Sequence, residues 1–185
     1  VKKLLLHVCC APCAAFVVKR LRGDGFEVTG FFFNPNIQPR REYEFRRDEV
    51  ARLAGTLDFP VVFPPYDMAA WFAVVRGLER EPERGRRCPA CFRLRLEAAF
   101  RHARDNGFAA VASTLSVSPY KSTAQINEQG RALSGATGVG FLAENFKSRD
   151  GWPQARALAA ELGIRHQDYC GCVFSKAERM LRLRK

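Results

Sequence analysis

Apolar residues in this chain fall into short runs that alternate with longer stretches of helical spacing. Lys3 to Val8 is a run of the kind that a strand buried on both faces requires. Ala11-Pro12 opens a helical stretch to Arg22, with Pro where the first turn needs no N–H, and Gly23-Asp24-Gly25 stops it. Glu27 to Phe33 predicts a second strand, with Phe31-Phe32-Phe33 read as buried strand and not as a base-stacking platform. A turn at Asn34-Pro35-Asn36 and a polar helix over 41–57 follow. Val61 to Phe63 predicts a third strand, and Asp67 to Leu78 a helix with Trp71, Val74, Val75 and Leu78 on one face. From Phe92 the spacing of Leu96, Ala99, Phe100 and Ala103 is helical until Asn106-Gly107. A strand over Phe108 to Ser113, a helix over Thr123 to Leu133, a strand over Val139 to Ala143, a helix over Pro153 to Gly163 and a strand over Ile164 to Tyr169 come next. A basic helix closes the chain.

Strands alternating with helices of this length predict an α/β protein: a doubly wound, mostly parallel sheet with helices on both faces. The chain, residues 1–185, reads as a single domain with an excursion around 79–91. Parallel sheets place ligands beyond the carboxyl ends of their strands. That rule singles out Cys9 and Cys10 after strand one, Asp67 after strand three, Thr114 to Lys121 after strand four, and Cys170 with Cys172 after the last strand. Cys88 and Cys91 are expected just before a helix, where free N–H groups and the dipole favour thiolate.

The composition, 47% hydrophobic and 26% charged, is that of a globular protein and excludes a disordered or fibrous one. The longest uncharged runs, Leu4 to Val18 and Asn106 to Tyr120, are 15 residues each and contain Pro, too short to span a bilayer. Lys2-Lys3 before an apolar stretch has the look of a secretory signal. His7, Cys9-Cys10 and Pro12 interrupt that stretch, so a cytoplasmic setting with reduced thiols is expected, and no membrane partner. Thirty Lys and Arg against 19 Asp and Glu give a net charge of +11, which suits a polyanionic partner or a generally basic surface. The candidate contacts are Arg40-Arg41, Arg46-Arg47, Arg84 with Arg86-Arg87, Lys121, and the tail residues Lys176, Arg179, Arg182, Arg184 and Lys185.

Seven cysteines change the picture most. They cluster as Cys9-Cys10 with Cys13, Cys88-Pro89-Ala90-Cys91, and Cys170-Gly171-Cys172, which argues for metal binding or redox work and against a disulfide scaffold. Cys88 and Cys91 at a helix start, joined by Cys9 and Cys10, offer a four-sulfur shell for zinc or for an iron–sulfur cluster; the residues alone do not choose. Successive side chains on extended backbone point opposite ways, so Cys9 and Cys10 suit a cluster or two metals better than one small ion. A disulfide across the single Gly171 would close a very small ring and be labile, which suits electron transfer. The bland alternative is a structural zinc site with Cys13 and the last pair as core residues. Signatures of nucleotide hydrolysis, dinucleotide binding, zinc proteolysis and serine hydrolysis are absent. His7 reads as a core histidine, and His102 and His166 have no metal-like spacing.

These blocks resemble the QueH family of epoxyqueuosine reductases over nearly the whole chain. The matching stretches run Leu6 to Cys13, Phe33 to Ile37, Tyr66-Asp67, Gly85 to Leu94, Thr114 to Lys121 and Gln167 to Cys172. The resemblance implies reduction of epoxyqueuosine to queuosine at the wobble position of tRNA, the last step in making that nucleoside. It also implies a [4Fe–4S] cluster, an external electron donor and a fold similar to the adenine nucleotide α-hydrolases. The S-G-G-x-D-S motif of that fold's thiolating members is missing, so no ATP use follows. Carried over, Cys9, Cys10, Cys88 and Cys91 correspond to cluster ligands, and Cys170 with Cys172 to a redox-active disulfide. Two arrangements stay open: all four thiolates on one cluster, or one of them on an additional iron with Asp67 in its place. As proton donors Asp67 and Tyr120 rank first, ahead of Tyr66, Lys121 and His7. Arg41, Arg86, Arg87 and Lys121 are the expected tRNA contacts. The competing classes are a zinc-stabilised RNA-binding module and a general thiol–disulfide oxidoreductase.

Overall fold

The computed structural model describes residues 2–183, so the expected tail contacts Arg184 and Lys185 lie outside the described residues. Five strands, β1 (Lys2–His7), β2 (Phe26–Phe31), β3 (Val61–Val62), β4 (Ala110–Ser113) and β5 (Gly140–Phe141), form one sheet in the order β3-β2-β1-β4-β5. Every pairing in it is parallel. β1 runs through the middle: Leu6 is flanked by Gly30 and Ala112, and His7 by Phe31 and Ser113.

The period of two along β1 divides the core. Leu4 and Leu6 pack with residues of α1 (Ala11–Gly23), α2 (Arg40–Leu57) and α6 (Gly151–Glu161). Leu5 points the other way, among Leu96, Ala99 and Phe100 of α4 (Arg87–Asp105) and Leu133 of α5 (Thr123–Thr137). All three leucines are wholly buried, and each stabilises the sheet by about 2 kcal/mol. Helices therefore cover both faces, as the alternating pattern predicted. α3 (Met68–Val75) and α7 (Val173–Arg182) build a small side cluster in which Trp71, Val75, Cys91 and Cys172 pack together.

Two expectations are corrected. Residues 164–169 are not a strand, because side chains take the place of a ladder there. Arg46 donates to the carbonyls of Tyr169 and Cys170, Glu49 accepts from the Arg165 N–H, and the Gln38 N–H donates to the Gly171 carbonyl. Cys170 and Cys172 thus reach the site on an irregular loop. The second correction concerns Cys88 and Cys91: α4 begins at Arg87, so both lie within its first turns and on one face, with Pro89 where no N–H bond is needed.

Candidate active site

Strand order reverses direction of winding between β1 and β4, and the crevice beyond their carboxyl ends is where such sheets bind ligands. Cys9 leaves β1 there, and Thr114 leaves β4. The two are locked together: the Cys9 N–H donates to Thr114 Oγ1 at 3.0 Å, and that hydroxyl donates to Cys9 Sγ at 3.2 Å. Cys10 is the N-cap of α1, and Pro12 occupies its first turn. One further turn brings Cys13 back, so the sulfurs of Cys9, Cys10 and Cys13 all lie within 4.8 Å of one another, with Cys9 and Cys10 3.6 Å apart.

The remaining thiols form a second group. Cys88 Sγ accepts from the Arg84 N–H at 3.2 Å, and Cys172, the N-cap of α7, accepts from the Ser175 N–H at 3.3 Å. Cys170 sits close enough to Cys88, Cys91 and Cys172 for its charge to hinder their ionisation. All seven cysteines are unbridged. Between Cys9, Cys10, Cys13 and Cys170 a cavity of about 460 Å³ opens, walled also by Tyr120 and Lys121. Sulfurs from two distant parts of the chain therefore meet at this mouth; Cys88, Cys91 and Cys172 lie near Cys170 but outside its lining.

Two cations serve both groups. Arg95 of α4 is 2% exposed; its guanidinium donates to Asn34 Oδ1 at 2.6 Å and lies 4.0 Å from Cys91 Sγ. Among the described residues it has no carboxylate partner, and its buried Nε has no acceptor at all. Lys121 is half-buried, and burial opposes its charge. The sulfurs of Cys170, Cys9, Cys13 and Cys10 more than offset that penalty and hold its ammonium protonated. Contacts from the Cys10 and Cys13 thiols pull Cys9 well below the ordinary thiol range against the cost of burial, with Lys121 and Arg95 adding to the pull. Desolvation pushes Cys88 up to about 12. The site is thus built for anionic sulfur at Cys9. His7 is a core residue, bonded to Ser113 Oγ at 3.0 Å and lowered to about 3 by burial and by Arg95.

Other expected site residues are dispersed. Tyr120 stands at the lip, 64% exposed. Asp67 is outside the cavity; it is exposed and caps α3 by accepting from the Ala70 N–H at 2.9 Å. Arg87 is 2% exposed, its guanidinium committed to the carbonyls of Glu79 and Glu81 and to Glu178, which leaves it unable to reach a phosphate while those bonds hold. Arg86 is exposed and paired with Glu81 at 2.8 Å. Arg41 is exposed beside Lys176 in a separate shallow groove. Sequence reasoning assigned no functional role to Cys13, Trp152, Arg156 and His166. For Cys13 the helical spacing after Cys9-Cys10 was the available signal; for the others there was none, because only folding brings them to the cavity.

The fold and this pocket define a parallel α/β protein with a thiol-lined, cation-bearing centre. A family model described as epoxyqueuosine reductase QueH matches residues 4–178. Epoxyqueuosine reductase QueH of Acinetobacter baylyi is 39% identical over 174 residues, covering 94% of this chain and 80% of that protein. The namesake from Thermotoga maritima is 36% identical over 179 residues, covering 95% and 91%. The chain belongs to the QueH family of epoxyqueuosine reductases, a family of oxidoreductases. Among solved structures, a predicted subunit of a tRNA methyltransferase from Methanocaldococcus jannaschii superposes with a TM-score of 0.56 at 14% identity, covering 87% of this chain and 75% of that chain. That likeness is one of fold alone.

Proposed function

We propose that the chain reduces epoxyqueuosine to queuosine in tRNA at an iron–sulfur centre held by Cys9, Cys10, Cys88 and Cys91. The observation that carries this reading is Arg95: a buried guanidinium without a carboxylate partner, and with an orphaned Nε, requires a buried anion beside it. Thiolates carrying a metal–sulfur group meet that need, and the group would supply electrons and a Lewis-acidic site. A single metal ion such as zinc on the trio of Cys9, Cys10 and Cys13 is the competing occupant, and the cluster reading differs from it in taking Cys88 and Cys91 as ligands. Cys13, beside Cys9 and Cys10 and outside the four ligands, is the candidate ligand for an additional iron.

The reaction removes one oxygen: epoxide, two electrons and two protons give alkene and water. Oxidation of the Cys170 and Cys172 thiols to a disulfide would release two electrons and two protons, and an external donor would then restore the thiols. Lys121 is placed to stabilise the alkoxide formed as the ring opens, because it is a cation at the cavity wall with no ion pair among the described residues. Of the two proton donors ranked first, Tyr120 lines the cavity and Asp67 does not. Outside the cavity, exposed Arg41 and Arg86 and half-buried Lys176 suit phosphate contacts. The parallel sheet order supports kinship with the adenine nucleotide α-hydrolases. No helix of the described residues is long and apolar enough to cross a membrane, and a tRNA substrate with reduced thiols suits the cytoplasm.

The test is iron, sulfide and zinc analysis of anaerobically purified protein, followed by nucleoside mass spectrometry of tRNA incubated with it. Iron with sulfide and loss of one oxygen from the modified nucleoside are expected. Stoichiometric zinc with unchanged nucleosides would instead mark a structural RNA-binding module, and reduction of protein disulfides without iron a general thiol oxidoreductase.

A further inference from the structure

A wall of the cavity is built from residues that the reduction itself does not use. Trp152 and Arg156 stand one turn apart on α6, His166 lies on the loop that follows, and all three line the pocket. The loop is tied to the helix by the contact of His166 Nε2 with the Arg156 carbonyl at 3.5 Å. The Trp152 and His166 rings meet edge to face, 6.1 Å between centroids at 73°. In that geometry the rings steady each other without sandwiching their faces, and both remain half-buried at the cavity.

The charges of this wall are unequal. Arg179 is paired with Asp168 at 2.8 Å and Arg182 reaches Glu178 at 3.8 Å, whereas exposed Arg156 enters no ion pair among the described residues. Aromatic rings next to an unpaired guanidinium are what a base with its phosphate requires; a small saturated ring bearing an epoxide requires neither. A cavity of about 460 Å³ encloses one such unit and leaves its neighbours at the rim.

We propose that Trp152 and His166 form a stacking site for one nucleobase of an RNA loop, with Arg156 pairing an adjoining phosphate. This rests on the tRNA reading above and adds to it the part of the chain that recognises the nucleotide. Stacking on aromatic side chains is tolerant of base identity, so the site contributes affinity and placement, and the thiol-lined floor distinguishes the modified base.

The experiment is fluorescence anisotropy of a fluorescein-labelled RNA stem-loop of anticodon-arm size, titrated with anaerobically purified protein. Trp152→Phe keeps an aromatic face, and Trp152→Leu keeps apolar bulk without one. W152F is expected within about threefold of the parent and W152L about tenfold weaker or more. Arg156→Gln is expected to reduce the slope of log affinity against log salt by about one phosphate contact. Thermal unfolding of each variant reports whether it is folded; should W152L not fold, His166→Leu and R156Q carry the test, and parental affinity in both would overturn the site. Equal binding by the parent and a folded W152L overturns the stacking site while the tRNA reading stands. No binding by the parent overturns both.

Discussion

At the scale of the residue, charge is the variable that the buried part of this site controls. Arg95 puts a fixed positive charge beside the thiols of Cys91 and Cys9, and a centre that gains an electron there gains it next to a cation. Removing the charge in Arg95→Met is expected to lower the midpoint potential of the proposed iron–sulfur centre by ~60 mV, the equivalent of ~1.4 kcal/mol for one electron, with Arg95→Lys shifting it less. Redox titration followed by electron paramagnetic resonance reads this, and an unchanged potential would detach Arg95 from the centre. Gly171 makes a separate point. Its φ of 125° is one that side chains rarely adopt, and an added Cβ would meet Ile37 at 3.0 Å and Arg46 at 3.2 Å. Gly171→Ala is therefore expected to cost about 2 kcal/mol of stability and to loosen Cys170 from the cavity, read as a lowered urea midpoint with faster alkylation of that thiol. Unchanged stability would mean that the loop tolerates a side chain. The clustering of cysteines was legible in the sequence, as was the core role of His7. The direction of each pKa was not, because Arg95 and Lys121 act on sulfurs that are distant in sequence.

At the scale of the element, the loop over 164–172 is where a local pattern and the tertiary structure disagree. Ile164 to Tyr169 reads as a strand by position, since it follows a helix in a βα alternation. The chain folds otherwise because α2 offers better partners. Glu42 and Arg46 pair at 2.8 Å with only 15% and 3% of their side chains exposed, Arg165 joins them at 3.1 Å, and Arg46 binds two loop carbonyls. Arg46→Met is expected to destabilise the protein by about 3 kcal/mol, seen in urea unfolding, because it leaves Glu42 without its buried partner and frees the loop. Burial raises the pKa of Glu42, but the hydrogen bonds and charges of Arg46 and Arg165 prevail and hold it below the ordinary carboxylate value. Its contribution is then fully present above the unfolded pKa of about 4.3 and is lost as pH falls through the lower folded value. The stability gap between the parent and Glu42→Gln should be widest near neutrality and close below about pH 4. A gap independent of pH would assign the effect to packing. Helix-scale features were legible, as in the spacing from Phe92 to Ala103, because burial on one face leaves a period in the sequence. The start of α4 at Arg87 was not, since the polar, Pro-containing stretch before Phe92 carries no such period.

At the scale of the whole molecule, a parallel sheet brings strand ends to one edge, and this topology gathers Cys9, Cys10, Cys13 and Cys170 there. Alternation implied a parallel, doubly wound sheet but no strand order; the order itself puts Cys9 at the switch point. The aromatic wall of Trp152 and His166 was hidden, since neither residue has a motif and their meeting depends on how α6 and the loop close over the crevice. The net charge of +11 acts at this scale too. Affinity for RNA is expected to fall by about tenfold or more between 50 and 200 mM salt, measured by the same anisotropy titration, and a flat response would exclude phosphate contacts as the main source of binding. The central claim is that converging thiols hold the iron that deoxygenates the epoxide. Its most direct test is single-turnover conversion of epoxyqueuosine-containing tRNA by the pre-reduced, anaerobically purified protein, compared with the same protein after iron removal and with Cys9→Ala and Cys88→Ala. Queuosine should form in proportion to the iron-loaded protein in the parent and fall to background in the other three; undiminished conversion by iron-free protein would contradict the account.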